Sequence, residues 1–141
     1  MLGLRANWGG GSDLHDYLAS LLGKTGTTYF PNGEWQLYKY YAGMSGSRLV
    51  TKSSGNKQFD VFATKGSEIK ILAGSRVTPD AYDIIVSGLS SAGFKDAGTV
   101  QVRTYKFAWS GANVEIGGVE DLGVTDYAYS GGSVGSPPSS H

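Results

Sequence analysis

The sequence predicts a mainly β fold: an antiparallel β-sandwich of about six to eight strands, preceded by two short α-helices. Three observations predict it. Apolar residues recur at helical spacing only before residue 45, and from Arg48 onward the period falls to two. The 22 glycines are scattered between short apolar runs, as a chain with many tight turns requires. Tyrosine supplies nine of the aromatics, and its flat apolar face with a polar tip suits half-wet sheet surfaces.

Taken in order, Leu2–Trp8 is a short apolar piece ending in Gly9-Gly10-Gly11. Ser12 or Asp13 caps a first helix over Asp13–Leu22, with Leu14, Tyr17, Leu18, Leu21 and Leu22 on one face. Thr25–Phe30 fits neither period cleanly and is left unassigned. Pro31-Asn32-Gly33 is a turn whose Asn32 caps a second helix, Glu34–Met44. Trp35, Tyr38 and Tyr41 share one of its faces, while Leu37, Tyr40 and Met44 share another. Only Glu34, Gln36 and Lys39 interrupt that apolar surface, so the helix is expected to be covered.

Alternation then predicts strands over Arg48–Lys52, Gln58–Thr64, Ser67–Ala73, Ala81–Val86, Thr99–Trp109, Asn113–Ile116 and Val124–Tyr129. The turn Lys65-Gly66 joins the second and third as a hairpin. Residues 1–130 are expected to form one domain, with a helical part to residue 45 and the sandwich over 46–130. The Gly, Ser and Pro content of residues 131–141 predicts a flexible tail.

Composition narrows the function. Formal net charge is zero and no basic run exists, which argues against nucleic acid and anionic membrane. No apolar stretch approaches the roughly 20 residues of a membrane-spanning helix. The start, Met1-Leu-Gly-Leu-Arg, does not read as a secretory leader. Cysteine is absent, which removes disulfides, thiol nucleophiles and thiolate metal sites together.

Two stretches resemble a known family. Leu4-Arg5-Ala6-Asn7-Trp8-Gly9-Gly10 with Asp13–Leu18 is similar to a last barrel strand and its helix. Pro31–Met44, and then Asp60–Thr64 with Ile69–Arg76, resembles the passage from such a barrel into an accessory sandwich. The likeness is to the C-terminal part of a fungal-type (β/α)8 glycoside hydrolase, and it covers most of the chain up to about Ser130. It implies a carbohydrate-binding-module-like role and an extracellular setting. It implies no chemistry here. A retaining enzyme of that kind needs two carboxylates roughly 5 Å apart, and those barrels hold both on strands that precede anything in this chain.

The residues agree that binding is the better expectation. A sugar ring stacks its apolar C–H face on a flat aromatic side chain, while its hydroxyls need polar partners. On the longest expected strand Gln101, Arg103, Tyr105, Phe107 and Trp109 share one face. Tyr127 and Tyr129 share a face of the last. The expected ligand-binding residues are therefore Trp109, Tyr105, Arg103, Gln101, Tyr127 and Tyr129, with an oligo- or polysaccharide as partner. Packing under the N-terminal helices is the competing role for Tyr105 and Phe107, whereas Trp109, beside Ser110-Gly111, is expected to face solvent.

No catalytic residue is expected. Asp13, Asp16 and Glu34 lie at helix starts, where a carboxylate opposes the macrodipole favourably. Glu115, Glu120, Asp121 and Asp126 gather near the last strand and could offer hard oxygens to Ca²⁺. They lack the spacing of a calcium loop, so no cofactor is expected. His15 reads as a helix-surface residue and His141 as part of the tail; neither has a placeable nucleophile beside it. Three functions follow: a non-catalytic carbohydrate-binding domain, a self-standing lectin-like or immunomodulatory protein that oligomerises through its N-terminal helices, or a structural accessory domain.

Overall fold

The computed structural model describes residues 21–75 and 81–135. The fold is mainly β, with one α-helix and several small antiparallel sheets. In chain order the elements are β1 (Leu22–Thr25), β2 (Thr28–Pro31), α1 (Gly33–Ala42), β3 (Ser47–Arg48), β4 (Phe59–Lys65), β5 (Ile69–Ser75), β6 (Ile85–Val86), a 3-10 turn (Ser90–Ala92), β7 (Gly98–Lys106), β8 (Glu120–Tyr129) and β9 (Val134–Gly135). The chain divides into two units. The first is Met1–Gly43 with Tyr105–Leu122, and the second is Met44–Thr104 with Gly123–His141.

In the first unit, the unassigned stretch 25–30 is a hairpin. β1 and β2 pair antiparallel with Thr25 opposite Thr28, which leaves a two-residue loop. Gly26 there has φ +60°, the left-handed value that a tight hairpin turn demands and a glycine supplies without steric cost. The first expected helix lies almost wholly outside the described residues. Its last residue, Leu22, opens β1 instead.

The second expected helix is α1. Asn32 caps it, Glu34 stands in its first turn and Lys39 in its last, each on the favourable side of the dipole. It ends at Ala42, two residues short of the expected Met44, where the Gly43 N–H returns to the Tyr40 carbonyl at 3.0 Å. Its aromatic side chains are half-buried, and the residues it buries are Gly33 and Gln36.

In the second unit, β3, β4 and β5 make a three-stranded antiparallel sheet. Val61 faces Ala73, Phe62 faces Leu72 and Ala63 faces Ile71. Such cross-strand apolar pairs are what hold a small sheet together. The Arg48 guanidinium lies 5.3 Å from the centre of the Phe62 ring. Before β4, Ser54 and Asn56 close a tight loop: the Ser54 hydroxyl bonds Asn56 Oδ1 at 2.6 Å and accepts from the Phe59 N–H at 3.0 Å. Tyr82 stacks flat on Phe59, with ring centres 4.6 Å apart.

Several expected strands are shorter or missing, each for a tertiary reason. Arg48–Lys52 yields only β3. Leu49 still donates to the Ala63 carbonyl at 2.9 Å, but Val50 then turns fully into solvent. Ala81–Val86 yields only β6, because its partner β9 is two residues long. The Lys65-Gly66 turn is a wider loop, Gly66 to Glu68, closed by the Lys65–Ile69 pair. Thr99–Trp109 stops at Lys106, and Asn113–Ile116 is not a strand, because both segments are drawn onto the start of α1.

The expected tail is also partly structured. Val134 and Gly135 form β9 against β6, and Gly132 both accepts from the Leu89 N–H and donates to the Asp96 carbonyl, each at 3.0 Å. Residues 136–141 lie outside the described part.

Candidate functional site

The site is built on the turn that starts α1. Asn32 has no solvent exposure at all, and both ends of its amide are used. Its Oδ1 accepts from the Trp35 N–H at 3.2 Å, satisfying one of the donors that a helix start leaves open. Its Nδ2 donates to the Ala112 carbonyl at 3.1 Å, far along the chain. One turn later, Gln36 Nε2 donates to the Ile116 carbonyl at 2.7 Å. The Ile116 N–H in turn donates to the Pro31 carbonyl at 2.9 Å.

Gly33 completes the seat. A β-carbon there would stand 2.2 Å from the Ala108 carbonyl oxygen and 3.3 Å from Cε3 of Trp109. Only a residue without a side chain lets the 108–109 backbone lie against the helix start. The loop joining β7 to β8 is therefore held at its beginning, middle and end. Gly111, at φ +115°, makes the reversal inside it, where the Val114 N–H meets the Gly111 carbonyl at 3.3 Å.

Trp109 rides on this loop with 56 % of its surface exposed. Two nearby rings are committed to packing. Phe107 meets Tyr40 edge-on at 5.4 Å, and Tyr105 meets the same ring at 6.2 Å and a tilt of 55°. Tyr105 keeps part of its surface in solvent; Phe107 is half-buried. The Trp109 indole N–H has no hydrogen-bond partner among the described residues. A tryptophan fixed at its base, open on its outer side and holding an unused donor is suited to stack against an apolar ring and bond a hydroxyl at its edge.

The other expected site residues belong to the second unit. Gln101 and Arg103 are exposed on β7, in the second unit. Tyr127, also in the second unit, is half-buried. Tyr129 is only 8 % exposed. Its hydroxyl donates to the Lys95 carbonyl at 3.1 Å, and Gly98 leaves room for its ring. That tyrosine is part of the second unit's core and cannot offer a face to a ligand.

Of the acidic residues expected near the last strand, Glu120 pairs with Lys106 at 3.7 Å, with both side chains more than half exposed. Among the described residues no group of three histidine or acidic side chains converges as metal ligands would. His15 and His141 lie outside the described residues. Among the described residues no helix is long and apolar enough to cross a membrane.

Asn32 and Gln36 are the residues whose role the sequence conceals. Asn32 is legible as a cap but not as a bridge. Gln36 reads only as a polar interruption on an apolar helix, yet it is buried. The usable signal is an amide one turn into a helix that is otherwise aromatic, since such a group needs an internal partner if it is to be buried. No family model, curated protein or solved structure matches the chain.

Proposed function

We propose that the protein is a non-catalytic carbohydrate-binding domain whose first unit presents Trp109 to a pyranose ring. One observation carries this reading: a large aromatic side chain is left open on a loop that three hydrogen bonds and a glycine seat hold in place. An exposed tryptophan on a mobile loop would lose ordering entropy on binding, whereas one held in advance does not. The partner is an oligo- or polysaccharide with an apolar ring face.

The reading includes a sandwich architecture for the second unit. Its buried apolar residues, Ala63, Leu89 and Tyr129, come from β4, from the segment after β6 and from β8. A two-layer β fold draws its interior from separate stretches of the chain, as these residues are drawn.

Titration with β-glucan, xylan and galactan oligosaccharides, followed by heat and by tryptophan fluorescence, tests the proposal. At least one is expected to bind, and Trp109→Ala to weaken it at least about tenfold while leaving the circular dichroism unchanged, as loss of a stacking hot spot does. Flat heats and an unchanged emission spectrum across all three would refute it. Unfolding of Trp109→Ala would instead assign that ring to the core.

A second reading, a structural accessory domain, has its own support. Val102, Leu122 and Val124 stand exposed on β7 and β8. Under that reading none of the sugars binds, and Leu122→Lys with Val124→Lys leaves stability unchanged while suppressing self-association at high concentration, read by light scattering.

A further inference from the structure

The second unit holds a cleft that the Trp109 platform leaves unused. It has a volume of about 270 Å³ and is lined by Lys65, Ser67, Glu68, Ile69, Ala92 and Phe94, with two glycines between them. One wall is the loop between β4 and β5, closed by the Lys65–Ile69 pair and by the Gly66 N–H donating to the Glu68 carbonyl at 2.9 Å. The other wall follows the 3-10 turn. There Gly93 takes the left-handed φ of +94°, and the Phe94 N–H donates to the carbonyl of buried Leu89 at 3.0 Å. Both walls are thus fixed by backbone bonds.

Phe94 is held by that wall with 40 % of its surface still exposed. Lys65 and Glu68 share the cleft, yet neither side chain has an ion pair or hydrogen bond among the described residues. A solvated lysine or glutamate alone carries no message. Here the two stand in one concavity with an aromatic side chain and the Ser67 hydroxyl, the mixture of apolar floor and few polar groups that marks small-molecule sites.

We propose that this cleft binds a single neutral pyranose residue. The Phe94 ring takes the apolar C–H face. The Lys65 ammonium donates to one ring hydroxyl, the Glu68 carboxylate accepts from a neighbour, and Ser67 serves either way. The volume falls short of the roughly 300–1,000 Å³ of drug-sized sites, which limits the occupant to about one ring. The opposite charges cancel, so a charged sugar meets one repulsive partner whatever its sign. The site lies in a different unit from Trp109, and the proposal stands without that reading.

The test is a chemical-shift titration of the full ¹⁵N-labelled chain with methyl β-D-glucopyranoside and methyl β-D-galactopyranoside. Methyl β-D-glucuronide is the charged control. At least one neutral glycoside is expected to move the amides of Gly66, Glu68, Gly93 and Phe94, with a Kd on the order of 1 mM as befits a contact of about 4 kcal/mol. Glu68→Gln and Phe94→Ala are expected to weaken that binding at least about tenfold. Glu68 is exposed, so its variant keeps the test valid should Phe94→Ala fail to fold. No movement of those amides by either neutral glycoside, unaltered binding in Glu68→Gln, or a response to the glucuronide alone would each overturn the assignment.

Discussion

Asn32 serves two structures with one amide, and that sets what its removal costs. Losing a helix cap costs about 0.5–2 kcal/mol. Leaving the Ala112 carbonyl without its donor adds a penalty of about 1–3 kcal/mol if water cannot reach it. Asn32→Ala is therefore expected to lose roughly 2–4 kcal/mol in urea denaturation. Asn32→Ser, which restores the cap but cannot reach Ala112, should recover less than half. A loss under 1 kcal/mol for the alanine variant would show that the bridge to Ala112 contributes nothing. Lys57 offers the opposite change. It is the one described non-glycine residue with positive φ, at 58°, in the loop before β4. A left-handed conformation costs an L-residue about 1–2 kcal/mol, against roughly 0.5–1 kcal/mol of extra backbone entropy for glycine. Lys57→Gly should therefore raise the melting temperature by a few degrees, and a fall would mean that the lysine side chain contributes more than its backbone costs.

At the scale of elements, the loop from Phe107 to Gly118 owes its order to α1 rather than to its own sequence. Gln36→Met keeps the length and helix propensity of the side chain while deleting the bond to Ile116. Amide exchange within 110–116 should then accelerate about five- to tenfold, since a hydrogen bond of about 1–1.5 kcal/mol restrains it, while helical circular dichroism stays constant. Unchanged exchange would place the loop's restraint elsewhere. What the sequence reveals follows the same division. The cap at Asn32 and the β4–β5 hairpin depend on residues a few positions apart, and both were legible, whereas α1 ends at Ala42 rather than at the expected Met44. Arg48–Lys52 and Asn113–Ile116 alternate like strands, yet no strand partner lies beside most of their length. Their fate is decided by residues far along the chain, which alternation does not report. The exposed Trp109 was legible from its Ser110-Gly111 neighbourhood, but the division of the expected strand between two units after Thr104 was not. Period-two alternation continues across the boundary near residue 105 as if one unit held the whole strand.

At the scale of the whole molecule, both units are discontinuous in sequence, and each is completed by a segment from the last third of the chain. Residues 131–135 show the consequence. Their composition reads as a linker, yet they supply β9 and the Gly132 bonds to Leu89 and Asp96. Ending the chain after Ser130 should lower the melting temperature by several degrees, because it strips backbone partners from Leu89, which is buried. Ending it after Gly135 should change little. Equal melting temperatures for the two truncations would restore the view that everything past Ser130 is a tail.

The span of 80 residues between Asn32 and Ala112 also has a meaning in time. A ribosome adding roughly 5–20 residues per second makes the carbonyl that Asn32 awaits about 4–16 s after the asparagine itself. Through that interval α1 has its cap but no loop to hold, and its aromatic faces are uncovered. The β4–β5 hairpin, whose partners are neighbours, can close meanwhile in microseconds. The first unit is thus begun early and finished late, and its yield in the cell depends on how well the nascent helix is shielded during the wait.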